Sequence, residues 1–176
     1  MISMKYFLVA IAILVGIVLI VVVIGALLPE KHTATAEASF RQPQSMVWQA
    51  ITDYTKFPEW RGTVSRVQPL SPVNGNPSWV EYDSHNSAIP YEIIESVPPQ
   101  RLVTHIADPK LPFGGTWTFE ITPTSAGSTL RITENGEVHN VIFRFMSRFV
   151  FGHRSTIDTY LKALGKKFGE TTELKD

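Results

Sequence analysis

From Tyr6 to Leu28 the chain shows no hydrophobic periodicity, because 23 consecutive residues carry no charge and nearly all are Ile, Val, Leu, Ala or Phe. As a helix this stretch rises roughly 34 Å, enough to cross a hydrocarbon core of about 30 Å. A segment apolar on every face cannot be sheltered by the chain that remains, so it reads as a membrane span and not as a buried helix. The rival reading is a cleaved signal peptide, with Lys5 as its positive start and Ala34-Thr35-Ala36 as its cleavage site. Such peptides have apolar cores of about 7–15 residues, shorter than this one. The expectation is an uncleaved single-pass anchor over residues 1–28 and a domain over residues 29–176. Lys5 and the terminal amine on one flank, against Glu30, Lys31 and His32 on the other, favour a domain on the outer side of the cell membrane.

After Pro29 the period changes to two. Ala34, Ala36, Ala38 and Phe40 alternate with Thr35, Glu37 and Ser39, which predicts a half-buried strand. Pro43 then opens a short helix with Met46, Val47, Ala50 and Ile51 at helical spacing, and Asp53 is placed to cap a further short turn through Trp60. Six strands follow, at Val64–Leu70, Trp79–Asp83, Ile89–Val97, Leu102–Ala107, Thr116–Ile121 and Leu130–Val138. Asn74-Gly75, Pro98-Pro99, Pro112 to Gly115 and Ser125-Ala126-Gly127 punctuate them as turns. Short strands with tight turns and no long crossover predict an antiparallel sheet. The last element runs from about Asn140 to Phe168 as one amphipathic helix, its apolar stripe including Ile142, Met146, Phe149, Ile157, Tyr160, Leu161, Leu164 and Phe168. Gly152 is a point where it could bend, since Gly costs roughly 1 kcal/mol against Ala in a helix interior. Its polar face carries Arg144, Arg148, Arg154, Lys162, Lys166 and Lys167 against Asp158 and reads as a solvated surface, with contact to anionic lipid headgroups as the alternative.

Composition narrows the function. The 176 residues contain no cysteine, which excludes thiolate metal sites, thiol nucleophiles and disulfide scaffolds. Lys and Arg balance Asp and Glu at 16 each, against the strongly basic character of a general nucleic-acid binder. The five histidines lack metal-ligand spacing, and no GxxxxGK[ST], GxGxxG after a strand or GxSxG occurs, so neither a metal nor a cofactor is expected.

The element order is that of the helix-grip, Bet v 1-like fold. Asp53 with Phe57-Pro58-Glu59-Trp60, Pro98-Pro99-Gln100-Arg101-Leu102, Pro112-Phe113-Gly114-Gly115-Thr116-Trp117 and Leu130 to Gly136 resemble the START-like (SRPBCC) superfamily. Within it, the chain resembles specifically the bacterial polyketide cyclase/dehydrase and lipid-transport group. The resemblance covers Thr33 to about Phe168. It implies an α+β fold in which a curved sheet grips the C-terminal helix around an apolar cavity. The scaffold serves lipid transfer, aromatic cyclisation and protein contacts alike, so it implies no single reaction.

Trp60, Tyr91, Trp117, Phe119, Phe145 and Phe149 are the expected walls of such a cavity. Glu134 shares strand parity with Leu130 and Ile132, which points a carboxyl inward unless a bulge at Gly136 breaks the parity. If buried, its pKa rises and it can serve as an acid or base. His105 and Tyr91 complete the candidate proton-transfer set, although the facing of His105 is undecided. The leading expectation is a non-enzymatic, membrane-anchored domain that binds a lipid or other hydrophobic small molecule, with the C-terminal helix or the Pro112–Gly115 loop as its gate. A cyclase, aromatase or dehydratase is the first alternative and a protein-interaction module at the membrane the second.

Overall fold

The computed structural model describes residues 4–175; the terminal amine lies outside them. Helix α1 (Met4–Leu27) is long and apolar enough to cross a membrane and stands clear of the rest of the chain except at its C-terminal end. Pro29 prevents its continuation, and strand β1 (Lys31–Phe40) begins two residues later. Along β1, Ala36, Ala38 and Phe40 are buried while Glu37 and Ser39 turn outward, as the period-two pattern requires.

Pro43, at φ −64° and ψ 153°, leads into α2 (Gln44–Thr52), which buries Val47, Ala50 and Ile51. Asp53 does not cap the turn that follows. Its carboxylate accepts from the Thr55 hydroxyl at 2.6 Å instead, and a 3₁₀ turn (Tyr54–Lys56) leads into the four-residue α3 (Phe57–Trp60). The strands β2 (Arg66–Val73), β3 (Asn76–Tyr82), β4 (Ala88–Val97), β5 (Arg101–Ile106), β6 (Phe113–Thr124), β7 (Gly127–Val138) and a short β8 (Leu174–Lys175) form one sheet with β1. Its order is β2-β3-β4-β5-β6-β7-β1-β8, and every neighbour is antiparallel.

Strand β6 begins earlier than its alternation suggested. Gly114 and Gly115 pair with Glu137 and Gly136, so the expected gating loop at Pro112–Gly115 is largely part of the ladder. Glycine permits this, because Gly115 has φ +123° and a Cβ there would stand 2.2 Å from the Asn135 carbonyl oxygen.

The larger departure is at the C-terminus. The single helix expected over Asn140–Phe168 is three pieces: α4 (Val141–Met146), a π turn (Ser147–Phe151) and α5 (Ser155–Lys167), with Gly152 at φ +75° between the last two. Asn140 Oδ1 caps α4 by accepting from the amides of Ile142 (2.9 Å) and Phe143 (3.1 Å). Of the three pieces, α5 lies across the sheet, and its Ile157, Tyr160, Leu161 and Leu164 share one buried core with Ala36, Ile132, Leu130 and Phe119. Burial of each such side chain contributes about 1.5–3 kcal/mol.

Helix α4 turns away and packs on the last turn of α1. A Cβ at Gly25 would stand 2.0 Å from the Val141 carbonyl oxygen, so the two backbones meet directly. Arg144 joins them from beneath. It is buried, not part of the solvated basic face, and donates to the carbonyls of Val138 (2.7 Å), His139 (3.0 Å) and Leu28 (3.4 Å) and to the Glu30 carboxylate. The last carbonyls of a helix lack intrahelical partners, and a guanidinium with several donors satisfies the Leu28 carbonyl while neutralising Glu30.

Candidate functional site

Because α4 swings toward α1, α5 covers only part of the concave sheet. The uncovered part is a cavity of about 530 Å³. Ile89 and Tyr91 of β4, Ile106 of β5, Phe113 and Trp117 of β6 and Val138 of β7 form its sheet side. Phe143, Phe151, Gly152 and His153 close the other side, and Thr156 of α5 reaches its inner end. A narrower recess of about 60 Å³ shares Tyr91, Trp117 and Thr156 with it and runs inward past Phe119 and Tyr160.

Glu134 brings a carboxyl with a raised pKa to this apolar space. The β6–β7 ladder runs without a register shift from Phe113↔Val138 to Thr124↔Gly127, so parity carries through Gly136 and Glu134 faces inward opposite Trp117. Burial pushes its carboxyl up from 4.5 to about 7, with a hydrogen bond from the Trp117 side chain pulling weakly the other way. Its Oε2 is buried and has no hydrogen-bond partner among the described residues. Its Oε1 lies 3.7 Å from Nε2 of His32.

His32 stacks on His153, with ring centroids 4.0 Å apart and an interplanar angle of 24°. Burial holds both imidazoles below their ordinary pKa; the Arg148 guanidinium beside His153 adds to its shift, and the two stacked rings disfavour each other's protonation, which lowers His32 further. Nδ1 of His153 is buried without a hydrogen-bond partner among the described residues. Gly136 makes the cluster possible, since a Cβ there would come within 2.4 Å of the His32 ring and 3.0 Å of Glu134 Oε1. The polar end of the cavity is thus a carboxyl poised near neutrality beside two imidazoles held neutral.

The residues proposed from sequence divide sharply. Tyr91 and Trp117 line the main cavity with Glu134, and Phe119 lines the recess. Burial pushes the Tyr91 phenol up, so it stays protonated, and its ring stacks on Trp79 at 5.7 Å. Trp60 sits behind this surface, edge-on to Tyr160 at 5.3 Å. His105 is on the opposite face of β5 from Leu102, Thr104 and Ile106, where its Nδ1 meets Glu92 Oε1 at 3.0 Å. It cannot exchange a proton with Glu134. Phe145 and Phe149 pair with each other at 5.0 Å outside the cavity, and Phe143 and Phe151 supply the wall expected of them. The break at Gly152 rotates that part of the chain.

Sequence reading missed His32, His153 and a buried ion pair. The His32 signal was present, because it shares parity with Ala34, Ala36 and Ala38. His153 lies between helices, where no period applies. Arg61 donates to Glu81 Oε1 at 2.8 Å at the recess, and the Trp79 indole N–H donates to the same oxygen at 3.1 Å. The Arg61 guanidinium also lies over the rings of Phe57 (4.7 Å) and Tyr160 (5.0 Å). No group of three or more His, Cys, Asp or Glu side chains able to hold a metal ion occurs among the described residues.

Residues 31–167 match the family described as polyketide cyclase / dehydrase and lipid transport. The chain belongs to this family. Its matched region stops short of α1, which precedes the family domain. No curated protein sequence matches the chain. Solved structures share the family's START-like fold. A START superfamily protein from Mycobacterium smegmatis superposes with a TM-score of 0.60 at 14% identity, covering 79% of this chain and 97% of its own. Protein MLL2253 from Mesorhizobium loti gives 0.56 at 18%, covering 77% and 98%. The di-domain ARO/CYC StfQ of the steffimycin biosynthetic pathway gives 0.57 at 17%, with 80% of this chain on 52% of that one.

Proposed function

We propose that the protein is a membrane-anchored binding domain that holds a compact hydrophobic molecule, such as a single acyl chain or a fused-ring lipid, between the sheet and the C-terminal segment. The observation that carries this reading is the apolar cavity of about 530 Å³, within the roughly 300–1,000 Å³ usual for small-molecule sites. The unpartnered Glu134 Oε2 at its wall supports a ligand with a hydrogen-bond donor at one end. Helix α1 is the anchor. Two experiments test the two halves. Residues 29–176 should take up N-phenyl-1-naphthylamine with energy transfer from the domain's tryptophans, Trp117 at the cavity wall among them, and a fatty acid or sterol should displace it; no uptake would refute the binding half. The full chain should stay with membranes through an alkaline carbonate wash; its release would refute the anchor.

The pKa of about 7 at Glu134 favours a second reading, general acid–base catalysis on an enolisable apolar substrate. Glu134 would then move the proton and Tyr91 would donate to a developing oxyanion. Glu134→Gln distinguishes the readings. Unchanged affinity with abolished turnover of the bound compound supports the enzyme, whereas weakened affinity with no turnover in either form supports the binding domain.

A further inference from the structure

Between Ile142 and Phe151 the chain exposes Ile142, Phe143, Phe149, Val150 and Phe151, each 47–60% accessible. Five large apolar side chains in ten residues, three of them consecutive at Phe149–Phe151, are far more than the scattered apolar residues of an ordinary soluble surface. Their position in the fold says what covers them. Helix α4 touches α1 at Gly25, three residues before the end of the apolar run, and Arg144 fixes the junction. Helix α1 has 24 residues and rises about 36 Å, slightly more than a hydrocarbon core of about 30 Å, so a helix packed on Gly25 lies at the boundary between acyl chains and headgroups.

We infer that Val141–Phe151 is an interfacial docking element whose partner is the phospholipid surface of the bilayer that α1 spans. Its aromatic edge sits at the depth where amphipathic segments bury their apolar face, about 5–10 Å into the headgroup–acyl boundary. Arg148, exposed within the same turn, offers a cation to the phosphates. The same segment bounds the cavity, because Phe143, Ser147 and Phe151 line it. The mouth of the cavity therefore opens onto lipid, and a hydrophobic ligand passes between bilayer and binding site without crossing water. This inference rests on the anchor reading given above.

The test uses the full chain, whose lack of cysteine makes single labels simple. Phe149→Cys and Val150→Cys carry the environment-sensitive fluorophore NBD, with Val15→Cys in α1 and Ala126→Cys in the β6–β7 turn as references. Ala126 adjoins the end of β7 that pairs with Phe40, whereas α1 leads into Lys31 at the other end of β1, so it stands roughly 30 Å from the proposed surface. In vesicles of phosphatidylcholine and phosphatidylglycerol containing spin-labelled lipid, quenching at 149 and 150 should fall within about twofold of that at 15, with almost none at 126. Probes at 149 and 150 that stay in water while the probe at 15 is quenched would overturn the docking element and leave the anchor standing. Absence of quenching at 15 would overturn both. A blue-shifted probe at 149 that lipid does not quench would mean a second copy of the chain covers the patch, which also overturns the inference.

Discussion

Nε2 of His32 stands 3.7 Å from Oε1 of Glu134 at the edge of a largely apolar cavity, and the two groups are shifted in opposite directions. Burial raises the carboxyl to about 7 and lowers the imidazole, so each resists its charged form. A pair that prefers neutrality suits a site for an uncharged or weakly polar ligand.

The Glu134 shift makes stability depend on pH. Below 4.5 the carboxyl is protonated in both folded and unfolded chains and costs nothing. Between 4.5 and about 7 the unfolded chain gives up its proton first, and stability is lost as pH rises, by an amount on the order of 3 kcal/mol when complete. Glu134→Gln removes that loss. The variant should melt with the wild type near pH 4.5 and above it at pH 8, whereas a difference independent of pH would count against burial of this carboxyl. The depressed histidines act oppositely, so the variant's own stability should fall as pH drops through 6.5.

Ile89 lines the cavity from β4 and is only half-buried. Ile89→Trp should fill part of the space without disturbing the core. Expected is a loss of affinity for N-phenyl-1-naphthylamine of about tenfold or more, equivalent to 1.4 kcal/mol, with little change in melting temperature. Undiminished affinity would move the ligand elsewhere.

Arg144 satisfies three carbonyls and Glu30 at once. Arg144→Ala leaves the buried Val138 carbonyl and the half-covered Leu28 and His139 carbonyls without this donor and should cost about 1–3 kcal/mol, and Arg144→Lys should recover little of it because an ammonium cannot reproduce the fork. Limited proteolysis of the full chain should show new cleavage near Leu28–Lys31. Unchanged protection there would contradict the proposed junction.

Arg61 and Glu81 form a pair with both side chains largely buried, 15% and 8% accessible. Arg61→Met alone or Glu81→Gln alone should each destabilise by about 3–5 kcal/mol, with the double variant costing clearly less than the sum. Additive losses in urea unfolding would show that the pair is not coupled.

Much of the fold was legible because alternation and turn chemistry act locally. The strands were found from their period and the α5 stripe from Ile157, Leu161 and Leu164, and strand parity alone turned Glu134 inward. The break after Phe151 was not legible. Met146 and Phe149 continue the helical spacing of Ile142, and periodicity records that a face is apolar without saying whether α1, the sheet or lipid covers it. Gly152 was the single local signal. His105 stayed ambiguous because both faces of β5 carry buried residues, Val103 on one and Leu102 on the other. The pairing of His32 with His153 joins chain positions 121 residues apart, which no local rule connects.

The most direct test of the binding cavity is native mass spectrometry of residues 29–176, purified without detergent and then offered a fatty acid, a sterol and a polycyclic aromatic in turn. Expected is a one-to-one adduct with at least one of them, or with a compound carried through purification, that Ile89→Trp fails to retain. A bare domain that takes up none of them would contradict the cavity's role as a ligand site.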